Sequence, residues 1–156
     1  MQKKYMGIIA WSLVALAVAI FIFANSIAGV EASDKFSSGF ADVIYSFVSP
    51  LLGLNFDEFH GIIRKAAHFS EFAVLGASVW MIIWSVRKLR GRLHVALAFL
   101  VSLAVAVTDE FIQNYTGRGS AVTDVVLDFS GAIFGIMFAA AIVYFTKAKK
   151  QPSKPN

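Results

Sequence analysis

Arg64, His68 and Glu71 follow one another at intervals of four and three residues, which places all three on one face of a helix. Asp109 and Gln113 repeat the interval of four, and Asp124, Asp128, Gly131 and Gly135 continue it as a single stripe. Carboxylates and an imidazole in such an arrangement support acid and base catalysis, with His68 paired to Glu71 or to an aspartate. They also suit a divalent cation of the zinc or manganese kind on His68, Glu71 and one or more aspartates, although HxxE spacing does not by itself identify a metal. Arg64, Lys65 and Arg118 are candidate partners for anionic groups. The chain contains no cysteine, which excludes disulfides, thiolate metal sites and thiol nucleophiles. No Gly-rich phosphate loop and no recognisable Ser-His-Asp arrangement occurs.

These residues sit in unusual surroundings. The 156-residue chain is 58% hydrophobic and 14% aromatic, with a mean hydropathy of +0.69, beyond what a soluble domain carries. A helix needs about 20 apolar residues to cross about 30 Å of hydrocarbon, and four such spans can be drawn, at about 7–26, 67–86, 93–112 and 124–145. The predicted fold is therefore all-α, an integral membrane bundle of four transmembrane helices. The first span follows Lys3 and Lys4, and its length fits an uncleaved anchor better than a signal peptide.

Between the first and second spans, Phe36, Phe40, Val43, Ile44, Phe47 and Val48 recur near helical spacing before Pro50, in a stretch too polar to cross. It reads as a short amphipathic or re-entrant segment, with a solvated loop as the alternative. Asn55 followed by Glu58 is a loose capping box, so a helix is expected to begin there and run to Val86, about 46 Å at about 1.5 Å per residue. Counting back from Val86 sets His68 and Glu71 just inside the membrane boundary. Asp109 and Glu110 fall at the far end of the third span, a loop is expected from Gln113 to Thr123, and Asp128 lies just inside the fourth span.

Ten of the fourteen basic residues flank the spans on one side: Lys3 and Lys4, Arg87 to Arg92, and the tail from Lys147 to Lys154. All ten acidic residues fall at the opposite end. The positive-inside rule makes the basic side cytoplasmic, with both termini inward and the polar residues on the outer face. This distribution also accounts for the net charge of +4 without nucleic acid. Residues 1–146 form the membrane domain, and the basic tail 147–156 is most simply an inner-leaflet anchor.

Taken singly, each polar residue has a structural role available to it. Arg64 and Lys65 can reach headgroups, His68 can hydrogen-bond inside the bundle, and Asp124 can cap the fourth helix. Together they differ, because three helices deliver ionisable groups to the same depth, where such groups are costly. Arg64, Lys65 and Arg118 do not balance Glu71, Asp109, Glu110, Asp124 and Asp128, so some carboxyls are protonated, a cation binds, or the ligand is cationic. The Gly131 and Gly135 pair forms a GxxxG pattern for close helix contact, within the chain or in a homodimer, and turns the face of Asp124 and Asp128 toward another helix.

At these residues the chain resembles the VanZ-like family, through the run from Arg64 to Phe72 (RKAAHFSEF), the run from Asp109 to Gln113 (DEFIQ), Gly117 with Arg118, and Asp124 followed by Asp128. Phe72 stands where the family often has Tyr, and the charged positions are intact. The resemblance covers about Arg64 to Gly135. It implies a bacterial cytoplasmic-membrane protein of the cell envelope, in a family whose founding member is associated with resistance to the lipoglycopeptide teicoplanin. It does not supply an activity.

Three classes of function fit the residues. One is a non-enzymatic envelope protein whose outer site binds membrane lipid, a lipid-linked wall precursor or a lipoglycopeptide. In it Arg64, Lys65, Gln113 and Arg118 would hold the ligand. Another is a hydrolase or transferase acting on a lipid-linked substrate at the outer leaflet, with His68, Glu71, Asp109, Glu110, Asp124 and Asp128 as candidate catalytic residues and a divalent cation as an optional cofactor. Ion or proton transport ranks last, because it calls for polar residues at the midplane, where these segments are almost wholly apolar.

Overall fold

A computed structural model describes residues 2–28, 45–46, 53, 55–86, 92–117 and 121–148. Four long helices account for nearly all of them: α1 (Gln2–Ile27), α2 (Phe56–Ser85), α3 (Arg92–Tyr115) and α4 (Val122–Ala148). Each is long and apolar enough to cross a membrane. There is no strand among the described residues. The expected amphipathic or re-entrant segment falls mostly outside them, as do Arg118, the 87–91 loop and the tail beyond residue 148. Tyr45 and Ser46 are helical, and the Tyr45 ring lies edge-on to Phe56 at 5.2 Å and against Phe59 at 5.4 Å.

The start of α2 follows from its sequence. Asn55 Oδ1 accepts the Glu58 backbone N–H at 2.9 Å, and Glu58 Oε2 accepts the Asn55 N–H at 3.3 Å, so the capping box forms in full. The third helix runs further than expected. Gln113 to Tyr115 belong to α3, not to the loop, because Gln113 Nε2 donates to Asp109 Oδ2 one turn back at 2.7 Å and rewards another helical turn. The helix stops at Gly117, whose φ of +77° is open to a residue without Cβ.

Helix α2 is the hub, packing most extensively on α4 and also touching α1 and α3. The contact with α4 is made by backbone. A Cβ on Gly131 would overlap the backbone of Phe69, one on Gly135 that of Ala73, and one on Gly76 that of Ala132. The GxxxG pair is thus engaged inside the chain, and Gly76 is its counterpart on α2. Van der Waals contact of this kind is the main driving force where lipid offers helices no hydrophobic gain.

Large apolar side chains cover the outer surface of the bundle as well as its core. Leu13, Leu100, Phe134 and Phe145 face outward, whereas the inward stripe of α3 reads His94, Ala98, Ser102, Ala106, Asp109 and Gln113. The α3 stripe is thus small and polar, while Phe72, Leu75 and Trp80 of α2 fill the core beside it. The two ends of the bundle differ. One collects Ser26, His68, Asp109 and Asp128. The other holds a ring cluster in which Trp80 and Trp84 stack at 5.2 Å, His94 packs against both, and the Lys147 ammonium sits 4.3 Å above Trp84.

Candidate functional site

Three helices build the floor of the site. Helix α2 brings His68, α3 brings Asp109 and α4 brings Asp128. One ligand-capable atom from each lies within 4.8 Å of the others. Asp109 and Asp128 are 0% and 1% exposed, so both carboxyls are buried in the protein, where a charge is costly. His68 Nδ1 stands 3.7 Å from Asp128 Oδ1, in ionic reach but beyond hydrogen-bond length.

Asp109 is held from two directions. Ser26 Oγ on α1 donates to Oδ1, and Gln113 donates to Oδ2. Thr116 Oγ1 in turn lies 3.0 Å from the Ser26 carbonyl, tying the end of α1 to the end of α3. By contrast Asp128 Oδ2 is buried with no hydrogen-bond partner among the described residues.

A small cleft, open to solvent, lies against His68 and Asp128 and is lined by Arg64, Lys65, His68, Gln113, Asp124, Leu127 and Asp128, with Asp109 behind its lining. Arg64 and Lys65 are exposed at its rim, and Asp124 is half-buried in the first turn of α4. The site therefore passes from the exposed cations Arg64 and Lys65 to the buried carboxyl of Asp128. An anionic group entering from the mouth would meet guanidinium and ammonium first, and imidazole and carboxyl beneath them.

The remaining sequence candidates divide by position. Glu71 is half-buried one turn beyond His68, and with Asp109, Glu110 and Asp124 it lies within electrostatic reach of Asp128. Glu110 is buried, but its Oε1 accepts the Ala121 backbone N–H at 2.7 Å, so it fastens the approach to α4 instead of lining the cleft. Arg118 lies outside the described residues. Sequence reasoning passed over Ser26 and Thr116. For Ser26 the available signal was a hydroxyl in the last turn of a largely apolar span.

The fold and site define a polytopic helical membrane protein with a polar, partly buried cleft at one end of its bundle. The chain belongs to the VanZ/LLP1 family, whose sequence model matches residues 11–144 and so takes in all four helices. No match was found among curated proteins or among solved structures.

Proposed function

We propose that the cleft receives the phosphate-bearing headgroup of a membrane-anchored lipid at the outer face of a bacterial cytoplasmic membrane, and carries out hydrolysis or group transfer on it. The observation that supports this reading most is the burial of Asp109 and Asp128 beside His68 beneath a rim of Arg64 and Lys65. A site that only held a headgroup would be served by the exposed rim. Enclosed carboxyls add cost, and such groups are retained where chemistry or a cation needs them.

In this reading Arg64 and Lys65 hold the headgroup phosphate, and Arg64 also gathers the charge that develops there. His68 takes the proton of the attacking water or alcohol while Asp128, 3.7 Å away, stabilises the imidazolium. Asp109 is fixed by Ser26 and Gln113 so that its position does not drift as charge moves. The leaving oxygen then takes a proton from a neighbouring carboxylic acid, with Glu71 and Asp124 nearest the approach. Changing outer-leaflet lipid or wall precursors would alter how a lipoglycopeptide engages the surface, the role that the family resemblance implies.

Lipids and wall precursors from cells with and without the protein, profiled by mass spectrometry, test the reading. It expects one phosphate-bearing species to change in wild type and to stay unchanged with Asp128→Asn and with His68→Gln. An unaltered profile in wild-type cells would leave binding alone as the function.

A further inference from the structure

We propose that His68 Nδ1, an oxygen of Asp109 and an oxygen of Asp128 are three ligands of a divalent-cation site, of the manganese or zinc class, in the floor of the cleft. The proposal rests on the headgroup reading and gives that site a cofactor: with Nδ1 on the cation His68 serves as a ligand, and the carboxylate of Glu71 or Asp124 accepts the proton of the attacking water or alcohol in its place.

Three features of the geometry carry it. The three ligand atoms come from three helices yet converge within 4.8 Å of one another. The 3.7 Å between His68 Nδ1 and Asp128 Oδ1 is too long for a hydrogen bond, but it is close to the edge of a coordination tetrahedron, about 3.4 Å for ligands about 2.1 Å from the metal. Asp128 is 1% exposed, makes no hydrogen bond through Oδ2 among the described residues, and lines the cleft. A buried carboxyl left in that condition is what a cation would satisfy.

The surroundings are those of a ligand set. Ser26 and Gln113 each donate to one oxygen of Asp109, which fixes the orientation of the carboxylate. One imidazole and two carboxylates make a mixed donor set that favours manganese or zinc over calcium. Three protein ligands leave positions for water or for a phosphate oxygen, and the basic rim lies on the side from which that oxygen would arrive.

Full-length protein, stripped with chelator and held in nanodiscs, is titrated with manganese chloride and followed by electron paramagnetic resonance. One Mn²⁺ per chain is expected, with nitrogen hyperfine coupling from His68, displaced by one equivalent of zinc. Asp109→Asn and Asp128→Asn should each weaken binding at least 10-fold, and Ser26→Ala about 10-fold through the orientation of Asp109. Absence of a stoichiometric site in folded wild-type protein overturns the proposal, as does a bound ion without nitrogen coupling. Since that readout uses wild type, a variant that fails to fold does not decide the question. If cells show a lipid change that depends on the protein while the folded protein takes up neither metal, the cation site is wrong and the headgroup reading stands. Stoichiometric binding with an unchanged lipid profile supports the cation site and removes the headgroup chemistry.

Discussion

Asp109 and Asp128 are chemically identical side chains placed in different circumstances. Asp109 accepts from Ser26 and Gln113, whereas Asp128 has His68 at 3.7 Å and, among the described residues, no hydrogen-bond partner for Oδ2. Removing the Ser26 hydroxyl leaves a buried carboxylate oxygen short of a donor. Ser26→Ala should therefore lower stability by about 1 kcal/mol, read by thermal unfolding in detergent. Asp128→Asn keeps the shape and removes the ionisable carboxyl, so it should retain the fold and lose product formation. Glu110 separates a structural role from a chemical one. Glu110→Gln keeps an acceptor for the Ala121 N–H at 2.7 Å, while Glu110→Ala does not. Hydrogen exchange at Ala121 should quicken in the alanine variant alone; equal exchange in both would show that the carboxyl does not fasten the turn. His68, Asp109 and Asp128 were legible from residue type and spacing. Ser26 was not, because a hydroxyl gains meaning only when another helix sets a carboxylate against it.

At the scale of the element, the contact between α2 and α4 sets the distance from His68 to Asp128. Gly131 and Gly135 announced that contact in sequence, but the partner was open until Phe69, Ala73 and Gly76 met them on α2. Gly135→Ala forces a methyl group into the backbone at Ala73, and the helices must part to admit it. A loss of about 1–3 kcal/mol is expected in thermal unfolding, with activity falling further than stability because the site straddles the same seam. Ser130→Ala, on the exposed face of the same helix, should change neither. Helix starts were readable where a cap was local, as at Asn55 with Glu58. The end of α3 was less so, since a bond between Gln113 and Asp109 extended it past the point where hydropathy alone would stop.

For the whole molecule, the four spans and the gathering of polar residues at one end follow from composition, because bilayer thickness fixes helix length and charge is expensive inside it. Orientation relies on the distribution of basic residues, and the cysteine-free chain makes it simple to test. Asp57→Cys at the site end should react with a membrane-impermeant maleimide from outside intact cells, and Lys149→Cys only after permeabilisation. The reverse pattern would put the cleft on the cytoplasmic side. Function was less legible than the spans, since the same carboxyls and imidazole serve binding and catalysis alike. Chemistry on a lipid headgroup is the central claim, and purified protein in vesicles made from total bacterial membrane lipid addresses it most directly. Mass spectrometry after incubation should show a phosphate-bearing lipid consumed, with a headgroup product appearing, by wild type and not by Asp128→Asn. Identical spectra for the two proteins and for empty vesicles would contradict it.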